Sequence, residues 1–165
     1  MPADFRITWT LAGHGWADCT VEANAVKLDL TASYISSAPE DLLTAVARLV
    51  AGETETRAQF EAEPAAFRWI FYREEDALWL RLLELRHGGD HDNAGTELWS
   101  GALSVDALAR AVVRCFDEVA DVYGESGYRG KWGEHFPRDA LETLRRIRQE
   151  HRPATDPSPP TDHVP

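Results

Sequence analysis

The sequence predicts an α+β fold, built on a mostly antiparallel sheet of about seven strands with helices packed on one face. Short segments of alternating polar and apolar residues recur between turn residues, which is the pattern of strands. Only three longer segments carry apolar residues every three or four positions, which is typical of helices. The resulting order, βββ-α-ββββ-α-α, joins consecutive strands through short connections and therefore favours antiparallel pairing.

The central element of the prediction is a hairpin over Phe67–Arg86, with an acidic turn at Glu75 and Asp76. Side chains of a strand alternate between its two faces, so a loop of two or four residues determines which residues share a face. On one face the predicted cross-strand pairs are Phe67 with Glu84, Trp69 with Leu82, and Phe71 with Leu80. We expect this face to belong to the hydrophobic core. The other face combines aromatic and cationic side chains: Arg68, Tyr72, Trp79 and Arg81.

Strands are also predicted on both sides of this hairpin, from the same alternation. Asn24 can adopt a positive φ in the tight turn between the second and third of them. The segment 54–63 has a fully polar outer face, which favours an edge strand or a strand with one solvated face. The predicted ranges are 5–11, 16–23, 26 to 34 or 35, 54–63 and 97–103.

The three helices have recognisable ends. Ser37 and Glu40 have the spacing of a capping box, and Gly52 ends that helix. Ser104 is the predicted N-cap of the longest helix and Gly124 its C-cap. A glycine-rich aromatic connector over 125–136 follows, then a last helix over 137–150. We expect one domain over 1–152 and a disordered, proline-rich tail over 153–165.

The net charge is −11, and it is unevenly distributed: residues 1–128 carry −12 and residues 129–152 carry +3. Such a field disfavours nucleic acids and anionic membranes and favours a basic protein partner. The sequence shows no signal peptide or membrane span, so a cytoplasmic protein is expected, with Cys19 and Cys115 as buried, reduced thiols. No cofactor-binding motif is present, and we expect no cofactor.

One cluster has the chemistry of a divalent-metal site: His87, Asp90, His91 and Asp92. Imidazole and carboxylate groups ligate metals, and the neighbouring glycines would allow them to converge. The alternative is a polar hairpin loop in solvent. That alternative is favoured, because loops are commonly built from Gly, Asp and Asn.

Two sets of aromatic residues have both a structural and a binding interpretation. Tyr128 and Trp132 in the connector either close one end of the core, which packing favours, or contact a partner. The aromatic and cationic face of the hairpin either packs against a loop or the connector, or binds a partner. The predicted partner-binding residues are Arg68, Tyr72, Trp79, Arg81, Tyr128 and Trp132.

The second half of the chain resembles a group of small uncharacterised bacterial proteins of actinobacterial type. The resemblance depends on an acidic, strand-rich first half, then Phe116-Asp117 in a helix, the spaced motif YG..GY...W...FP and a final helix bearing leucines. Some of these proteins are similar to immunity proteins that neutralise secreted toxins. The resemblance implies protein binding rather than catalysis, and it transfers no site residues.

The favoured hypothesis is therefore a non-catalytic binding protein, similar to immunity proteins or antitoxins, whose acidic surface binds a basic protein. The alternative is a small, metal-assisted enzyme, with its site near the loop His87–Asp92 or in a cleft lined by Trp16, Trp79 and Trp99. Homo-oligomerisation through the polar edge strand or the C-terminal helix is a third hypothesis.

Overall fold

The computed structural model describes residues 4–152, which contain the predicted strands and helices in the predicted order. The strands are β1 (Phe5–Ala12), β2 (Trp16–Ala23), β3 (Val26–Ser33), β4 (Glu55–Glu61), β5 (Ala66–Glu74), β6 (Ala77–Leu85) and β7 (Thr96–Ser104). The helices are α1 (Ala38–Val50), α2 (Val105–Trp132) and α3 (Arg138–Glu150). The tail predicted to be disordered, 153–165, lies outside the described residues. None of the described helices is both long and apolar enough to cross a membrane.

The α+β class and the seven antiparallel strands are confirmed, but the strands form two sheets. One sheet has three strands in the order β1-β2-β3, and the other has four in the order β4-β5-β6-β7. Helix α1 separates them in the chain. Near this junction the backbone N–H of Glu61 donates to the hydroxyl of Ser36 at 3.1 Å rather than to a strand carbonyl. A side chain thus replaces a ladder hydrogen bond at that end of β4.

The central hairpin has the predicted register. Trp69 pairs with Leu82 and Phe71 with Leu80, across a two-residue turn in which Glu75 has a φ of +56°. The predicted positive φ of Asn24 is also confirmed, at +49°. Period-two alternation with short turns was therefore sufficient to predict which face of each of these hairpins is buried.

A chain of aromatic rings joins both sheets to α2 in one core. Trp9 of β1 lies 5.4 Å from Trp132 of α2 and 5.7 Å from Phe60 of β4, measured between ring centroids. Phe60 in turn lies 5.5 Å from Trp69 of β5. Offset and edge-to-face contacts at these distances stabilise a core beyond the area that they bury.

Helix α2 differs from the prediction beyond its midpoint. Its N-cap is confirmed, since the Ala107 N–H donates to the Ser104 hydroxyl at 3.0 Å. Gly124, with a φ of +67°, breaks the helical geometry as predicted, but the chain then resumes a helical path as far as Trp132. Part of the expected connector is thus helical, and it ends where Gly133 adopts a left-handed conformation with a φ of +99°.

Helix α1 begins at Ala38, where the sequence predicted its start, but the capping box is absent. Ser37 makes no side-chain hydrogen bond to the helix, and one carboxylate oxygen of Glu40 is buried without a partner among the described residues. The prediction for the cysteines is confirmed: Cys19 and Cys115 are free and buried. Burial raises the pKa of both thiols well above the ordinary range, which keeps them protonated.

Candidate interaction surface

The outer face of the four-stranded sheet carries four of the side chains that the sequence proposed for partner binding. Strand alternation places Arg68 and Tyr72 of β5 on this face, together with Trp79 and Arg81 of β6. The inner face of the same strands is buried in the core. The outer face has two parts, one covered by the loop 86–95 and one open to solvent.

The covered part is held by an ion-pair cluster that we call the Asp92 latch, formed by Arg57, Arg68 and Asp92. Arg57 binds the carboxylate of Asp92 through both terminal nitrogens, at 2.8 and 2.7 Å. Arg68 donates to the same carboxylate at 2.8 Å and to the backbone carbonyls of Asp90 and Gly88 at 2.8 and 3.1 Å. Two guanidinium groups thus fasten the loop to the strands β4 and β5.

The latch covers an apolar strip of the outer face. Ile70, Leu83 and Leu85 have almost no exposed surface, although they belong to the face that is polar elsewhere. The hydrogen bonds from Arg57 and then from Arg68 hold the pKa of Asp92 below its ordinary range, against the opposing effect of burial. The carboxylate therefore stays charged, and the loop stays attached, at neutral pH.

The same geometry bears on the metal hypothesis for His87, Asp90, His91 and Asp92. Asp92 is engaged by two arginines, and a carboxylate oxygen of Asp90 accepts the backbone N–H of His87 at 3.2 Å. Within residues 4–152, no three His, Cys, Asp or Glu side chains come together in an arrangement that could hold a metal ion. Asp90 and Asp92 thus take part in the hydrogen bonds and ion pairs that hold the loop in place.

The open part of the face is a cross-strand aromatic pair. Tyr72 lies directly opposite Trp79, and Trp79 is 46% exposed. Glu55 of β4 is opposite Tyr72 on its other side, and Glu74 follows on the same face of β5. We call Glu55, Tyr72, Glu74 and Trp79 the aromatic patch. Arg81 borders it and donates to Glu97 at 2.9 Å, so its charge is already paired.

Tyr128 and Trp132 are not on the surface. Both have at most 1% of their surface exposed, and Trp132 packs against Trp9 in the core. The packing interpretation of the connector therefore applies to them, because a partner could reach them only by opening the core. Their spacing of four residues on a helical segment places them on one inward face.

The tryptophans proposed to line an enzyme cleft do not converge. Trp79 and Trp99 point to opposite faces of the four-stranded sheet, and Trp16 belongs to the other sheet. A cleft of about 580 Å³ does open beside the latch, along β4, between Asp41 of α1 and His91 of the loop. Strand β4 is an edge strand, as predicted from its polar face.

The sequence analysis did not single out two acidic residues at the aromatic patch, and it misassigned a third in the first turn of α1. Glu55 and Glu74 flank the aromatic pair, and only the pairing of β4 with β5 brings Glu55 there. Glu40 was assigned to a helix cap. Glu40 lies in the first turn of α1, and no local signal in the sequence indicates that the cap does not form.

The fold and this surface define the chain as an α+β protein with two antiparallel sheets and an exposed aromatic patch on one of them. No protein-family model and no curated protein sequence matches the chain. A chain of the solved CdiA-CT/CdiI toxin and immunity complex from Enterobacter cloacae is similar in structure, with a TM-score of 0.47 and 12% sequence identity. The match covers 68% of this chain and 99% of that one. Function therefore has to be inferred from the surfaces of this chain itself.

Proposed function

We propose that this protein is a non-catalytic binding protein of the immunity or antitoxin type, which engages a basic protein partner through the aromatic patch. The observation that carries the proposal is the exposure of Trp79 beside Tyr72, on the part of the outer sheet face that is open to solvent. Large aromatic side chains that remain exposed in the free protein are the usual anchors of interfaces.

The charge around the patch supports a basic partner. Glu55 and Glu74 are exposed on either side of the aromatic pair, and Glu75 and Asp76 form the adjacent turn. The cations nearby are largely committed, since Arg57 binds Asp92 and Arg81 binds Glu97. The patch thus combines an apolar centre with an acidic rim, which favours association with a positively charged surface.

A partner bound in this way should be released by salt. Electrostatic attraction between exposed charges is screened at high ionic strength, whereas burial of Trp79 is not. We therefore expect fast, salt-sensitive association combined with a hydrophobic contribution that persists. A cognate protein whose affinity did not fall between low and high salt would contradict the electrostatic part of the proposal.

The experiment compares two tryptophan variants as affinity baits in extracts of the source cells. Trp79→Ala removes the centre of the patch. Trp16→Ala makes the same change at a tryptophan that is 41% exposed on the other sheet. We expect wild type and Trp16→Ala to capture the same basic protein and Trp79→Ala to lose it, by at least tenfold in recovery, as for an interface anchor.

Two further results distinguish an immunity role from protein binding without a toxin. The captured protein, produced alone, should inhibit growth, and its co-production with wild type but not with Trp79→Ala should restore growth. Equal capture by the two variants would exclude the aromatic patch. Capture of a protein that lacks toxicity would exclude the immunity role while leaving protein binding intact.

A further inference from the structure

A cavity of about 420 Å³ lies between the first half of β1 and the first half of α2. Its apolar lining comes from Phe5 and Ile7 on the strand side and from small alanines on the helix side. Two exposed arginines of the helix line it as well. We call this cavity the β1 groove. The residues that define it are Phe5, Ile7, Ala107, Arg110, Ala111 and Arg114.

The backbone of β1 directs a strand edge towards this groove. Strand β1 is the outermost strand of its sheet and pairs, among the described strands, with β2 alone. The N–H of Leu11 points away from β2, since it donates to the hydroxyl of Tyr123 at 3.0 Å. Backbone groups of alternate residues point the same way, so those of Phe5 and Ile7 are directed towards the groove. An edge of this kind can take up a further strand through backbone hydrogen bonds.

The arginines of the groove are not neutralised by their own helix. Arg110 and Arg114 form no ion pair within residues 4–152, although acidic residues lie three or four positions away from them. Each of these acids is engaged by an arginine of another element: Asp106 by Arg148 at 3.1 Å, Asp117 by Arg145 at 2.5 Å and Glu118 by Arg6 at 3.8 Å. Two guanidinium groups thus remain available to a carboxylate.

The other charged residues at the groove do not cancel these two arginines. Asp4, Arg6 and Glu22 also line the cavity. Glu22 lies directly opposite Arg6 in β1 and Lys27 in β3, so cations on both neighbouring strands face it. This leaves the carboxylate of Asp4 against two guanidinium groups. The groove therefore keeps a net positive charge in a chain whose net charge is −11, and it suits an acidic occupant.

The chain that follows α3 starts next to this groove. Arg152, the last described residue, lines a small cavity at the start of α2 together with Ser104 and Asp106. Arg110 comes one helical turn after Asp106, about 6 Å along the axis of a helix that is about 10 Å wide. Asp156 follows Arg152 by four residues, which span up to about 13 Å when extended. The segment after Arg152 is therefore long enough to bring a carboxylate to the arginines.

The sequence of this segment is compatible with an edge strand. Prolines occupy positions 153, 157 and 159, and Ala154, Asp156 and Ser158 occupy the even positions between and beside them. With period two, the N–H groups at 154, 156 and 158 share one side of a strand, and the prolines, which lack an N–H, fall on the other. The composition predicts that the segment does not order by itself, and a strand edge would supply the partner that it lacks.

We infer that residues 154–158 add a strand to the edge of β1 in the β1 groove, with the carboxylate of Asp156 bound by Arg110 and Arg114. The N–H groups of Ala154, Asp156 and Ser158 face β1, and the prolines face away from it. Three features of the described residues support this contact: the strand edge, the space left by the alanines of α2, and the two arginines without a partner. The contact lies within one chain and is independent of the partner protein proposed above.

Amide hydrogen exchange tests the contact in the ¹⁵N-labelled full chain. We expect the amides of Ala154, Asp156 and Ser158 to exchange at least tenfold more slowly than in an isolated peptide of the same sequence, while Thr155 exchanges at the peptide rate. Such alternation identifies strand pairing, because a contact made by charge alone would not distinguish neighbouring residues. Exchange of all four amides at the peptide rate, or equal protection of Thr155, would overturn the inference.

Two proline substitutions test the pairing further. Ser158→Pro removes an N–H that faces β1, whereas Thr155→Pro removes one that faces away. We expect Ser158→Pro to reduce the protection of Asp156 about tenfold, the equivalent of one backbone hydrogen bond, and Thr155→Pro to preserve it. Equal effects of the two substitutions would rule out the proposed strand.

Two double variants test the role of the arginines. Arg110→Gln with Arg114→Gln removes both charges of the groove, and Arg86→Gln with Arg129→Gln removes the same charge at exposed arginines elsewhere. We expect the first pair to lower the protection of Asp156 about tenfold, because a charge-assisted hydrogen bond is lost, and the second pair to leave it unchanged. Protection that both pairs, or neither pair, abolished would contradict the assignment of Asp156 to Arg110 and Arg114.

Discussion

The two sheets present very different outer faces, although both follow the same alternation of polar and apolar residues. The outer face of the three-stranded sheet is polar apart from Trp16 at the end of β2, with threonines and acids in register across its strands. Thr20, for example, donates to Asp29 at 2.9 Å across β2 and β3. The outer face of the four-stranded sheet instead contains a buried apolar strip, the Asp92 latch and the aromatic patch.

Loop length explains much of this difference. Tight turns join β1 to β2 and β2 to β3, so the connections within the three-stranded sheet are too short to fold back over it. In the other sheet, the segment 86–95 between β6 and β7 is long enough to cross the strands, and Arg57 and Arg68 hold it there. A sheet face that is partly covered can keep apolar residues outward, and we propose that the uncovered remainder binds a partner.

The largest expected effect is that of Arg68→Ala on stability. This guanidinium is only 12% exposed, and it satisfies two loop carbonyls as well as Asp92. Removing it leaves these acceptors unpaired and should lower the free energy of unfolding by about 2–3 kcal/mol. Urea denaturation measures the loss. Arg6→Ala, which removes an exposed ion pair between β1 and Glu118 of α2, serves as the control and should change stability by less than about 0.5 kcal/mol.

Asp92→Asn should have a smaller and pH-dependent effect. The hydrogen bonds from Arg57 and Arg68 hold the pKa of Asp92 below its unfolded value, so its stabilising contribution is complete above about pH 4 and is lost as the pH falls through the folded pKa. At pH 7 the substitution should cost about 1–2 kcal/mol, and wild type and variant should converge in acid. Denaturation at pH 7 and pH 3 checks this, and a difference that persisted undiminished at pH 3 would exclude the ion pairs as its source.

Trp79→Ala should change stability modestly, by about 0.5–1 kcal/mol, because it breaks a cross-strand pair with Tyr72 but opens no cavity. Thermal unfolding of this variant beside Trp16→Ala, whose cross-strand neighbours are Ala12 and Ser33, compares the two sheets directly. A loss above about 3 kcal/mol for Trp79→Ala, as for a core residue, would show that this side chain acts in packing rather than as a free anchor.

The smallest effect is expected on the outer face of the three-stranded sheet. Thr20→Ala removes an exposed hydrogen bond to Asp29 and should alter the free energy of unfolding by no more than about 0.5 kcal/mol. Chemical denaturation measures it. A loss comparable to that of Arg68→Ala would mean that both outer faces contribute equally to stability, and the contrast between the sheets would fail.

The sequence by itself determined the order of the elements and the faces of the hairpins. Each of these depends on neighbours in the chain: the alternation of Trp69 and Phe71 with Ile70, the two-residue turn at Glu75 and Asp76, and the N-cap at Ser104. Such local signals can be interpreted without knowledge of the remainder of the fold. They also placed the aromatic and cationic residues of β5 and β6 on one outer face.

Only the tertiary structure decided which of those residues stay exposed. Arg68 is enclosed by a loop that begins 18 residues after it. In the core, Trp132 packs against Trp9 and Tyr128 packs against Trp132. The capping box predicted for Ser37 and Glu40 does not form. These outcomes depend on contacts between segments far apart in the chain, on the division of seven strands into two sheets and on the competition of each side chain for partners. No periodicity within a segment encodes that competition, because the partners become available only when the elements meet.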